Sequence, residues 1–403
     1  MTTTSGNPND RFHRFLRQGL DVVCRHVVAD DANTPLTEET RKRALNLLGY
    51  AFQSQRIAFV WAEARDLLLT LAPKMEHGGQ WEEWFSHLEA GAKRAAAQGD
   101  PVTTATLYLH SGVLHRLQSN YAQAESYLTE SATLFQTQAK PRAQARALNQ
   151  LGYVARYQNR LGRATELAHQ ALALLEEEDV ERAMSFSLLG LIAKEQRQWS
   201  EAEIHHRRAL ELREKAQHLR EMAWSMQNLA DVLRVYGEYE TAISYFERAI
   251  ALLDQVQDPV HRAIAQMNLG VIYSLQKQPF KAFPLYEAAE RIFRQVGSRQ
   301  NLAMVKVNQG LEYMAVESWE KAETAFRLGA DLYQSLADQG GHLNALDGLG
   351  LSYLEQGRYA EALMLFERIV NELQEIEGNY FFRTLRDQLP EQIARSKAGL
   401  ATG

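Results

Sequence analysis

A small residue, glycine or alanine and mostly preceded by leucine, returns at Gly112, Gly152, Gly190, Ala230, Gly270, Gly310 and Gly350, at spacings of 40, 38, 40, 40, 40 and 40 residues. Twelve places after each stands an alanine without exception: Ala124, Ala164, Ala202, Ala242, Ala282, Ala322 and Ala362. A chain with such a period stacks copies of one supersecondary unit, so its fold is settled by the structure of a single repeat.

Two further places recur. Sixteen after the small residue come Leu128, Ala168, His206, Phe246, Tyr286, Phe326 and Phe366, mostly bulky; nineteen after come Ser131, Ala171, Ala209, Ala249, Ala289, Gly329 and Ile369, mostly small. Antiparallel helices approach closely only where side chains nearly vanish, and a bulky neighbour one turn away fills the adjoining groove. Apolar spacing inside each half is helical, as in Leu229, Leu233 and Tyr236, then Ile243, Phe246, Ile250 and Leu253. Turns such as Gly237-Glu238-Tyr239 and Gln356-Gly357-Arg358-Tyr359 divide the halves, with glycine ending the first helix and an aromatic opening the second: Tyr121, Trp199, Tyr239, Trp319, Tyr359. Lys140-Pro141, Gln257-Asp258-Pro259, Val296-Gly297-Ser298 and Gln339-Gly340-Gly341 read as breaks between hairpins. No segment alternates as a strand does.

This order of small residue, aromatic, alanine, bulky residue and small residue resembles the tetratricopeptide repeat family over residues 105 to 377. The period exceeds that family's usual 34 residues and is similar to the longer-helix arrays of MalT-type regulators, Rap-type peptide receptors and Leu-Gly-Asn-type scaffolds. The resemblance implies an all-α chain, a right-handed α-solenoid of helix-turn-helix repeats with helical N- and C-terminal caps. Seven repeats are expected at 105–144, 145–182, 183–222, 223–262, 263–302, 303–342 and 343–377. A helical region with a degenerate repeat at Leu47-Leu48-Gly49-Tyr50 fills 1–104, where Trp61 stands in the alanine place, and Trp81 to Gln98 forms a helix closed by Gly99-Asp100-Pro101. At 378–403, Gly378-Asn379 breaks the chain before a capping helix from Tyr380 to Lys397, and the last five residues fray.

Chemistry is sparse. There is no phosphate-cradling glycine-rich loop, no His-Glu-x-x-His and no cysteine beyond Cys24, read as a small buried hydrophobe. His205 and His206 are helix neighbours pointing about 100° apart and do not ligate one metal unaided. The acidic run Glu176-Glu177-Glu178-Asp179 reads as a solvated face. No nucleophile, base and orienting group stand out, so neither catalytic residues nor a cofactor nor a metal is assigned. A net charge of −6 gives no attraction to nucleic acid or anionic lipid, and neither a signal segment in Met1 to Asp10 nor an apolar run of spanning length is present, so a cytoplasmic chain is expected.

The resemblance implies a protein or peptide partner. The resemblance implies a concave groove lined by the first helix of each pair, which puts Asn228, Asn268 and Asn308 two residues before the small residue in three consecutive repeats. An amide both donates and accepts, so asparagines at repeat spacing can pair with the backbone of an extended peptide; the alternative is that each bonds within its own helix pair. Earlier repeats place Arg146, Asn149, Gln150, Tyr153, Arg156, Tyr157, Lys194 and Arg234 at the groove, a cationic and aromatic end suited to a carboxylate. Later ones place Met267, Met304 and Leu311 there, suited to an apolar anchor. The carboxylate-clamp lysine and asparagine set does not map onto the chain, and the asparagine after glycine of Leu-Gly-Asn scaffolds is replaced by Val271 or Leu311. The leading expectation is a non-enzymatic adaptor or regulatory subunit. A Rap-like receptor whose N-terminal helices act on a target is the second reading, and an enzyme with a dispersed site the third.

Overall fold

The computed structural model describes residues 8–29, 36–54, 57–76, 81–374 and 380–402, and within them the chain is an all-α solenoid. Four helices precede the regular array: α1 (Pro8–Ala29), α2 (Glu38–Gln53), α3 (Trp61–Met75) and α4 (Trp81–Ala97). Fourteen helices follow in alternation, all but three of them seventeen residues long. They are α5 (Pro101–Leu117), α6 (Tyr121–Thr137), α7 (Pro141–Tyr157), α8 (Leu161–Ala173), α9 (Arg182–Glu195), α10 (Trp199–Lys215) and α11 (Leu219–Val235), then α12 (Tyr239–Gln255), α13 (Pro259–Leu275), α14 (Pro279–Gln295), α15 (Arg299–Ala315), α16 (Trp319–Ser335), α17 (Gln339–Glu355) and α18 (Tyr359–Gln374). The last helix is α19 (Tyr380–Thr402). The chain divides into two compact units, Met1–Val232 and Leu233–Gly403.

In both units the crossings are made as the repeat pattern requires. A methyl group built on Gly112 would stand 2.5 Å from Leu128, and one on Gly190 2.5 Å from His206; in the second unit the same pairing joins Gly270 with Tyr286, Gly310 with Phe326 and Gly350 with Phe366 at 2.6 to 2.7 Å. The bulky residue therefore sits where the glycine's side chain would be. Ala168 is too small for that, and Gly152 is met instead by Leu188 of the next first helix. All seven alanines of the recurring place are fully buried. The first unit's N-terminal core is closed by Leu20, Leu48, Leu67, Leu71 and Trp84, and the second unit's is built around buried aromatics, Tyr286 and Phe293 in one cluster and Phe326 and Phe366 in another.

Turn chemistry is uniform although its residues are not. From α4 to α17, except after α8, the residue after the C-cap takes a left-handed conformation, and its N–H and the next close the helix end, as Gly237 to the Arg234 carbonyl and Glu238 to that of Leu233. Glycine fills this place at Gly99, Gly237, Gly297 and Gly357, but Ser119, Ala139, Asn159, Arg197, Gln217, Gln257, Lys277, Glu317 and Ala337 fill it elsewhere. The five expected aromatics do open second helices. Asp258 caps α13 by accepting from the His261 N–H, with Pro259 in the first turn.

Two expectations are corrected. Gly340 and Gly341 do not break the chain; Ala337 makes the turn, Asp338 caps α17, and the glycines lie in its first turn because the Tyr333 ring lies against Gly341. The C-terminal helix does not fray after Lys397 but continues to Thr402, held where Gly399 admits the Tyr359 ring. Gly378 and Asn379, like Met1 to Asn7 and Gly403, lie outside the described residues. Cys24 is half-buried rather than enclosed, with Sγ 3.6 Å from Thr70 Oγ1.

Candidate functional site

The candidate surface is built by the first helices of the pairs. On α15, Met304, Asn308, Leu311 and Ala315 lie at helical spacing along one open or half-open face, and on α13 Ile264, Asn268, Val271 and Leu275 do the same. Each stripe is an amide among apolar neighbours. Met267 and Asn149 stand three residues before the small residue, not two, and that single step turns them inward. Met267 is buried against Tyr286, and Asn149 is fully buried with its Oδ1 accepting from Ser185 at 2.8 Å. Neither reaches the open face.

At the place two before the small residue the repeats differ in a telling way. His110 Nδ1 lies 2.5 Å from Glu76, and Gln150 accepts from Arg116 Nε at 3.0 Å while its own amide nitrogen lies 3.6 Å from Met184 sulfur. Asn228, Asn268 and Asn308 are half-buried and make no hydrogen bond to another described residue. The reading in which each asparagine ties its own helix pair together is not what the structure places there.

Most of the cations at the first unit's end are already answered. Arg146 pairs with Glu181, Arg156 with Glu195 at 2.6 Å, and Lys194 with Asp231 at 2.5 Å, each bond spanning from one first helix to the next or its approach. Burial opposes the Arg146 charge, but the Glu181 hydrogen bond and charge prevail and raise its pKa. Tyr157 is exposed and stacks on Tyr121 at 5.7 Å, and Arg234 is half-buried. Burial raises the pKa of Tyr153, whose hydroxyl also feels the charges of Arg213, Arg116 and Arg156.

Arg213, on the second helix α10, escaped the sequence reading. It is 7% exposed, and Nη1 donates to Ser187 at 2.9 Å and Ser225 at 2.5 Å. Burial pulls its pKa down. His206, two turns earlier, is fully buried beneath Gly190 with neither ring nitrogen partnered, and burial lowers its pKa to about 3. Its neighbour His205 stacks on Phe186 instead. The acidic run is half tied down, with Glu178 paired to Lys215 and Arg208. Among the described residues no cluster of three metal-ligating side chains occurs, and no helix is long and apolar enough to cross a membrane.

A tetratricopeptide repeat family model matches residues 179–255, 218–295 and 301–371, and a second model of that description matches 144–178, together more than half of the chain. No curated protein matches. Among solved structures, a Rap protein complexed with competence and sporulation factor is 14% identical with a TM-score of 0.60, covering 94% of this chain and 99% of that one. Aspartyl phosphate phosphatase F from Bacillus subtilis (14% identical, TM-score 0.56, 93% and 97% covered) and the apo quorum sensor NprR from B. thuringiensis (14%, 0.56, 89% and 99%) are similar in the same way. At such identity the likeness is one of fold.

Proposed function

The chain belongs to the tetratricopeptide repeat family, and from that premise we propose that it is a non-enzymatic regulatory adaptor that captures an extended peptide or partner segment in a concave groove along its first helices. The observation that carries this reading is the set of three asparagines at one repeat position whose amides have no partner among the described residues. Each half-buried amide offers both a donor and an acceptor, and a peptide backbone supplies the partner for each. The apolar neighbours Val271, Met304 and Leu311 give a bound side chain somewhere to bury.

The test is retention of short random-sequence peptides by the wild type and by the Asn228→Ala, Asn268→Ala, Asn308→Ala variant. Each lost bond is worth roughly 0.5 to 1.5 kcal/mol, so the variant should keep its helix content and lose most retention. Equal retention by both proteins would place binding elsewhere.

A second reading, a receptor switched by its peptide, draws support from the likeness to the Rap complex, which extends over 94% of this chain and so takes in the N-terminal helices as well. It expects the radius of gyration in solution scattering to fall when a retained peptide is added. An unchanged radius favours the passive adaptor.

A further inference from the structure

Helix α10 carries a charge at a place where the other repeats carry none. Twenty-three residues after the small residue, six repeats bury an apolar side chain: Phe135, Leu175, Leu253, Phe293, Tyr333 and Leu373. The repeat of α9 and α10 puts Arg213 there. Its guanidinium passes out of the second-helix layer and ends between first helices, donating to Ser187 of α9 and Ser225 of α11. Those hydroxyls accept its protons without cancelling its charge. Glu221 and Glu181 act on it from beyond bonding distance, and no carboxylate bonds it among the described residues. A cation taken out of water without a counter-charge is an expensive core residue, which a leucine would improve on.

A second uncompensated cation is nearby. Among the described residues Arg116 is bonded only to the neutral Gln150, and it lies over the Tyr153 ring, 5.6 Å from its centre. The charges of Arg213 and Arg116 both reach the Tyr153 hydroxyl, and of the three arginines around it only Arg156 has a carboxylate, that of Glu195. What this cluster lacks is a carboxylate bonded to Arg213 or Arg116. A guanidinium presents paired donors that match the two oxygens of a carboxylate.

We propose that Arg213, together with Arg116 and the Tyr153 hydroxyl, receives a carboxylate of the bound peptide, either its C-terminal group or an Asp or Glu side chain. This rests on the peptide-binding reading above and adds to it the charge of the ligand and the residue that selects it.

The test uses two pools of short random-sequence peptides, one with free C-termini and one C-terminally amidated, presented to the wild type, Arg213→Leu and Arg116→Gln, with helix content and unfolding midpoint measured in parallel. The wild type should enrich carboxylate-bearing peptides by about ten- to a hundredfold, the size of a charge-assisted bond. Enrichment confined to free C-termini identifies the terminal group, and enrichment of Asp or Glu peptides in the amidated pool identifies a side chain; both support the proposal. Arg213→Leu should lose the preference while unfolding at a higher midpoint, and Arg116→Gln should weaken it with the fold untouched. Peptides retained without regard to carboxylates by the wild type, or a preference that survives Arg213→Leu, overturn this inference alone. If the wild type retains no peptide from either pool, the peptide-binding reading falls and this inference with it.

Discussion

Replacing His206 with phenylalanine should make the protein both more stable and less sensitive to acid. Phe246, Phe326 and Phe366 occupy this place in other repeats, where Gly310 and Gly350 leave the ring the same room that Gly190 leaves His206, with a glycine methyl falling within 2.5 to 2.7 Å in all three. The native imidazole is fully buried and neither nitrogen is bonded. Leaving such groups unpaired costs roughly 1 to 3 kcal/mol, which the phenyl ring recovers at neutral pH. A second contribution grows in acid. The folded pKa is about 3, against an ordinary imidazole's 6.5, so the unfolded chain takes up a proton that the folded one refuses. Stability is complete above pH 6.5 and falls by about 1.4 kcal/mol per unit as the pH drops toward 3, or about 2 kcal/mol at pH 5. Urea titrations followed by circular dichroism at pH 7.5 and pH 5 measure both effects. The variant should gain more over wild type at pH 5 than at pH 7.5. An equal gain at both values refutes the linkage, and no gain at either refutes the burial argument itself.

Asp347 behaves in the opposite sense: its carboxyl is pushed up to about 6 by burial beside Gln392 of α19, so this contribution is full below about pH 4, shrinks as the pH rises and is gone above 6. Asp347→Asn should therefore stabilise the second unit by roughly 1 to 3 kcal/mol at pH 7 and hardly at pH 3.5, read from thermal melts at the two values. At the left-handed turn positions Ala139 and Ala337, glycine removes the strain of a Cβ at positive φ, and each substitution should raise stability by roughly 0.5 to 1 kcal/mol. A lower melting temperature for Ala337→Gly would contradict that account of the turns.

How much of this was legible in the sequence depends on whether a feature repeats. The pairing of Gly310 with Phe326 recurs at fixed offset because close helix packing demands it at every crossing, and a demand made seven times leaves a period. Site residues are not repeated in that way. Asn149 and Met267 were one residue out of register with the open face, an error of about 100° around the helix that composition does not reveal. The carboxylates that answer Arg146, Arg156 and Lys194 lie 35, 39 and 37 residues further along, close to one period, because neighbouring first helices hold them side by side. Arg213 was visible too, as a lone charge in a column of apolar residues, but only once the column at that offset is read down all seven repeats.

The two kinds of polar group on the first helices bear differently on a ligand. A ligand that sought Arg146 or Lys194 would have to displace Glu181 or Asp231, exchanging one ion pair for another with little net gain. Among the described residues the asparagines and Arg213 have nothing of that kind to give up: the amides make no bond there, and the hydroxyls on Arg213 leave its charge uncancelled. On the proposed reading the amides would serve any peptide backbone, and Arg213 only a ligand that brings a negative charge. The cost of keeping Arg213 and His206 in the core is confined to α10 and the helices packed on it, since in a solenoid each repeat contacts only its neighbours.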